Sequence, residues 1–111
     1  MKFSDFISTK SICSELNSTS KELVIAELVD SLVSAGNIKQ ADREDIIKAI
    51  MKREELGSTG IGRGVAVPHT KHPSVDKLVG TVGVSSDGLD FDSLDGEKVQ
   101  LFFLLVSPPD R

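Results

Sequence analysis

The stretch Arg53-Glu54-Glu55-Leu56-Gly57-Ser58-Thr59-Gly60-Ile61-Gly62-Arg63-Gly64-Val65-Ala66-Val67-Pro68-His69 changes character three times within residues 53–69. It begins as the end of a helical pattern and passes through four glycines in the eight residues 57–64, where helix propensity is poor and positive backbone torsions are easy. It then becomes a short apolar strand, Val65-Ala66-Val67. Pro68 biases Val67 toward extended geometry and withholds a ladder hydrogen bond, so the sheet is expected to release the chain at His69. Helix, glycine loop and strand in immediate succession predict a layered α/β unit with a histidine displayed at a strand end.

Upstream, Thr19 to Glu22 reads as a capping box that starts a first helix. Leu23, Val24, Leu28, Val29, Leu32 and Val33 recur at helical spacing, and Gly36 stands where a left-handed cap would end the run. A second helix is expected from an N-cap at Asp42, burying Ile46, Ile47, Ile50 and Met51 while Lys48, Lys52 and Glu55 stay in water, with Gly57 at its end.

Downstream, Leu78 to Val84 reads as a strand, Asp87-Gly88 and Asp95-Gly96 mark turns, and Phe102-Phe103 belongs to the core. Val99 to Val106 is a nearly continuous apolar run of strand length, which suits a central strand covered on both faces. Such a strand needs helices on each side. Ser107-Pro108-Pro109-Asp110-Arg111 reads as the approach to another helix, so one domain over 1–111 that continues past Arg111 is expected. Apolar surface left without its cover predicts pairing between chains or poor solubility.

The chain has 111 residues and a formal charge of -4, with Lys interleaved among Asp and Glu. That size fits one domain, and no basic stripe is present to meet a phosphate backbone, which argues against nucleic acid. Cys13 is the single cysteine, so no internal disulfide is possible and a reduced cytoplasmic setting is compatible. It reads as a small buried hydrophobe. No run approaches the length needed to cross a bilayer, and the N-terminus lacks a signal-peptide apolar region.

The chemistry concentrates in 65–73, which holds both histidines. A neutral imidazole is abundant near pH 7 and its bare nitrogen can attack phosphorus without a separate activating base, which singles out His69. The glycine loop offers backbone N–H groups to an anion, and Arg53 and Arg63 offer planar donors to the same oxygens. Each feature also has an ordinary reading: a solvated strand-end histidine, a plain connecting loop, an arginine at a helix end. The loop matches neither the dinucleotide fingerprint nor the Walker loop, because no Lys-Ser/Thr pair follows the glycines. His69 and His72 with Asp76 offer a remote zinc-binding alternative, which Pro68 and Pro73 disfavour by breaking any helix that would align the rings.

Taken as one motif, residues 53–69 closely resemble the active-site signature of enzyme IIA domains of the phosphoenolpyruvate-dependent sugar phosphotransferase system, mannitol/fructose class. More loosely, the resemblance extends over the whole chain. It implies a mixed α/β sheet flanked by helices and a phosphoryl-carrier function without a bound cofactor. His69 would accept phosphate from the histidine-containing phosphocarrier protein and pass it to a cysteine of an enzyme IIB partner. Arg53 would clamp the phosphoryl oxygens, with Thr59, Gly60, Gly62 and Arg63 as further supports. The family's second histidine, shortly after the apolar strand, has no counterpart before Arg111, and His72 does not match it. The wording of residues 57–62 lies nearer the nitrogen-regulatory branch, which tilts the expectation toward control of regulatory target proteins over sugar uptake.

Overall fold

The computed structural model describes Leu16, residues 20–91 and residues 93–109, with the side chain of Ile61 left out. Cys13 and Thr19 lie outside the described residues. The elements run α1 (Lys21–Ser34), a 3-10 turn (Gln40–Asp42), α2 (Arg43–Leu56), β1 (Gly60–Gly62), β2 (Val65–Ala66), β3 (His69–Lys71), β4 (Val79–Leu89) and β5 (Val99–Ser107).

β5 is the axis of the sheet, as its apolar run predicts. β4 lies antiparallel along one side of it, from Val79↔Val106 to Leu89↔Val99. Along the other side β2 and then β3 pair with it in parallel, and β1 extends the sheet beyond β2 in antiparallel register. The sheet is therefore mixed, with α1 and α2 packed on each other and on it. Its core side carries Val99, Phe102, Leu104 and Val106, all fully buried, in one cluster with Val24, Ile25, Leu28, Val29 and Leu32 of α1 and Ile46, Ile47 and Ile50 of α2. Phe91 closes the cluster, meeting Phe102 edge to face at 5.3 Å between centroids, a geometry worth about 1 kcal/mol beyond area burial.

The second face of β5 is the one expected to lack its cover within residues 1–111. Along β5, Leu101, Phe103 and Leu105 are half-buried in alternation with the fully buried set, so the described helices cover one face. A continuous apolar run does not distinguish a strand packed on two sides from one packed on a single side.

α1 approaches the sheet at Gly83, where an added Cβ would stand 2.6 Å from Leu28 Cδ2. Its start is capped by Ser20, whose Oγ accepts from Leu23 N–H at 3.3 Å, one residue later than the expected cap. Leu23 turns outward at 56% exposure and Ile25 takes a core place. The other end closes as expected: Gly36 sits at φ +81, its N–H bonds to Val33 O, and Asn37 N–H bonds to Leu32 O. Asp42 precedes α2 but caps nothing with its side chain, because the 3-10 turn already holds it in a helical conformation. Asp87-Gly88 is not a turn between strands; it lies within β4, where the pairing shifts register between Val84 and Leu89. Asp95-Gly96 does form the expected turn, with Gly96 N–H bonded to Ser93 O at 3.0 Å.

Candidate functional site

Pro68 breaks the edge of the sheet for one step only. β2 ends at Ala66, the chain passes through Val67 and Pro68 outside the regular strands, and pairing resumes with His69↔Leu105. The chain is thus not released at His69. Pro68 lacks an N–H but keeps its carbonyl, which accepts from Leu105 N–H at 3.0 Å and carries the ladder across the gap. The His69 side chain stands exposed on the first residue of β3.

One contact orients its ring: Nδ1 lies 2.8 Å from Val67 O. A carbonyl oxygen only accepts, so Nδ1 carries the hydrogen and Nε2 bears the lone pair. In the neutral ring this contact selects the Nδ1–H tautomer, with the nucleophilic Nε2 directed away from the backbone.

Two contacts fix α2 relative to this segment. Near its start Asp45 meets His72 at 2.5 Å, and just past its end Thr59 O accepts from Val67 N–H at 3.0 Å. Helix and segment thus run in opposite directions, and the Arg53 end of α2 comes to the Val67-Pro68-His69 end of the strand. Arg53 is half-buried and donates from Nη1 to Gly57 O at 2.8 Å, the ordinary use of an arginine at a helix end. No hydrogen bond joins it to His69 among the described residues.

Thr59 is buried and already engaged. Its N–H bonds to both carboxylate oxygens of Glu54 at 3.2 Å, and its hydroxyl donates to Glu54 Oε1. Glu54 is itself 6% exposed and paired with Lys21 Nζ at 2.9 Å; that ammonium also lies 4.6 Å from the centre of the Phe91 ring. Sequence reading passed over Glu54. The signal was present in its spacing, because Ile46, Ile50 and Glu54 follow one another four apart on the same helical face, and a carboxylate in that stripe calls for a buried partner.

The glycine loop is a β-hairpin. Arg63 (φ +57) and Gly64 (φ +78) form its two-residue turn, with both central torsions positive as such turns require. Gly60 is needed for close approach, since a Cβ there would stand 2.3 Å from Ser93 Oγ. Its N–H bonds to Ser58 Oγ at 3.0 Å. The Arg63 N–H is taken by Asp95 Oδ2 at 3.0 Å. That bond, followed by one from Glu97 N–H, holds the Asp95 carboxyl below its usual range. Gly64 O meets Gln100 N–H and Leu101 N–H, whereas His69 pairs with Leu105, four residues or about 13 Å further along β5. The structure thus divides the expected phosphate supports: Thr59 and Gly60 lie at the His69 end of the hairpin, Gly62 and Arg63 at its far end.

His72 is buried at 7% exposure, with both ring nitrogens in use. Nδ1 accepts from Ser74 N–H at 3.1 Å, which leaves the hydrogen on Nε2 for Asp45. Among the described residues no three His, Cys, Asp or Glu side chains converge as a metal-binding group, and none of the helices is long and apolar enough to cross a membrane.

A family model described as phosphoenolpyruvate-dependent sugar phosphotransferase system, EIIA 2, matches residues 5–111. The chain is 39% identical over 107 residues to the fructose-specific EIIABC component of Bacillus subtilis, covering 96% of this chain and 16% of that protein. It is 32% identical over 108 residues to the nitrogen regulatory protein of Bradyrhizobium diazoefficiens, covering 97% of this chain and 69% of the relative. The crystal structure of the nitrogen regulatory protein IIA-Ntr from Neisseria meningitidis superposes with a TM-score of 0.83 at 29% identity, covering 95% of this chain and 70% of the other.

Proposed function

The chain belongs to the EIIA 2 family of the phosphoenolpyruvate-dependent sugar phosphotransferase system, whose members are phosphotransferase components, and on that premise we propose that His69 is its phosphoryl carrier. The observation that carries this reading is the exposed ring with Nδ1–H on Val67 O and Nε2 open. The donor is the histidine-containing phosphocarrier protein, acting in the cytoplasm.

In the transfer, the Nε2 lone pair forms a bond to phosphorus while the donor's phosphorus–nitrogen bond breaks and its electron pair returns to the donor ring. No proton moves on His69. The ring gains positive charge as the new bond forms, and the Val67 carbonyl, already accepting from Nδ1–H, becomes the acceptor of a charge-assisted hydrogen bond. Arg53 exchanges its bond to Gly57 O for the incoming phosphoryl oxygens, supplying charge at the point where it develops. Thr59 and Gly60 support the same end of the site through the backbone geometry of the hairpin, while Gly62 and Arg63 serve it only at a distance.

From phospho-His69 the group passes to a cysteine of an enzyme IIB partner, a reading supported by likeness to the fructose-specific EIIABC relative. A second reading, in which the phosphorylation state governs binding to regulatory targets, is supported by likeness to the nitrogen regulatory relatives. Incubation with phosphoenolpyruvate, enzyme I and the phosphocarrier protein is expected to give acid-labile phosphate that is absent in His69→Ala. A folded protein that takes no label overturns the reading. Transfer from the labelled protein to IIB cysteines then separates transport from regulation.

A further inference from the structure

Resting on the carrier reading of His69, we infer that Glu54 is a positioning residue for the His69 ring, acting through Thr59 and Val67. Four contacts form an unbroken series. Lys21 Nζ pairs with Glu54 Oε2 at 2.9 Å, and the Glu54 carboxylate takes both the N–H and the hydroxyl of Thr59. Thr59 O then accepts from Val67 N–H at 3.0 Å, and Val67 O accepts from His69 Nδ1–H at 2.8 Å.

Each link constrains the next. Thr59 is fixed on both sides, by Glu54 at its N–H and by Val67 at its carbonyl. Val67 is fixed at its own N–H and through Pro68, whose carbonyl is bound by Leu105 N–H. The direction of the Val67 carbonyl decides which ring nitrogen of His69 holds the hydrogen, and hence whether Nε2 is a nucleophile. With Gln in its place one acceptor oxygen remains of the two and an NH2 donor stands among Thr59 N–H, its hydroxyl and Lys21 Nζ, so the buried Thr59 donors are no longer both held. A buried donor does not stay unpaired, so residues 58–60 move to find water and take the Val67 anchor with them. Glu54 touches no substrate; it sets the tautomer and aim of the group that does.

The test uses Glu54→Gln, with nitrogen-15 NMR of the His69 ring in the unphosphorylated protein as its first readout. The wild-type ring is expected to show the Nδ1–H form, and Glu54→Gln a mixture of tautomers with faster exchange of the Val67 amide. Phosphorylation from the carrier protein is expected to slow by about tenfold or more, the scale of a displaced catalytic group. Ile47→Val, a mild change in the same helix, is expected to keep both the ring signals and the labelling rate. If Glu54→Gln does not fold, Thr59→Val carries the same decision, with Thr59→Ser restoring the wild-type signals. Wild-type ring signals in the folded variant overturn the inference, as does a shifted tautomer with an unchanged rate. Failure of the wild type to take phosphate would instead overturn the carrier reading and leave the NMR result to decide the Glu54 linkage alone.

Discussion

His69 and His72 stand three residues apart, yet they are opposite in every respect that chemistry uses. His69 is exposed and held at Nδ1 alone, so its hydrogen sits there and Nε2 is bare. His72 is buried and held at both nitrogens, so its hydrogen sits on Nε2 and its lone pair is consumed by Ser74 N–H. The difference arises from what each ring meets. Behind His69 is a carbonyl, which can only accept; behind His72 is an amide, which can only donate. A backbone group two residues away is enough to make one imidazole a nucleophile and the other a bracket between β3 and α2.

The strongest way to break this contrast is to exchange the losses. His69→Gln is expected to abolish acid-labile phosphorylation, whereas His72→Gln keeps it; label that survives the first change and vanishes in the second would reverse the assignment. Next in size is Arg53→Ala, expected to slow labelling of His69 by about 100-fold, as the loss of one transition-state donor does, while leaving the ring signals of His72 unchanged. On the stability side, His72→Ala is expected to cost about 1–3 kcal/mol in denaturant unfolding, because a buried ring is removed and the half-buried Ser74 N–H loses its acceptor. His69→Ala is expected to change stability by less than about 0.5 kcal/mol, as for exposed positions generally.

The smallest effect lies furthest from both rings. Asp95 has its pKa lowered on folding by the Arg63 and Glu97 amides, so its contribution is present above the ordinary carboxylate range and lost as pH falls through the lowered value. Amide exchange at Arg63 is expected to quicken over that acid interval in the wild type, and Asp95→Asn to remove the transition without disturbing either histidine.

Where local chemistry decides structure, the sequence was readable. The cap at Gly36, the turn at Asp95-Gly96 and the strand over Val99 to Val106 each follow from a few neighbouring residues. The features that escaped it join distant residues. Glu54 and Lys21 are 33 positions apart and Asp45 and His72 are 27, so nothing in either segment alone announces the pair. Asp87-Gly88 and Asp95-Gly96 show a different obstacle. The same dipeptide is a shift of register inside β4 in one place and a turn in the other, because pairing with β5 holds the first within a strand and leaves the second outside one. For Gly62 and Arg63 adjacency to the motif in sequence is not adjacency to His69 in space, because the hairpin carries them to its far end.

The outer margin of β3 carries a consequence for solubility as well as for display. Among the described strands β3 pairs only with β5, so its outer side is an open sheet margin, and such margins invite a strand from another molecule to dock and template aggregation. The exposed Lys71, two residues beyond His69, places a charge where an incoming strand would have to lie. The segment that must meet successive partners through a side chain is thereby made a poor partner through its backbone, which favours brief encounters over permanent ones.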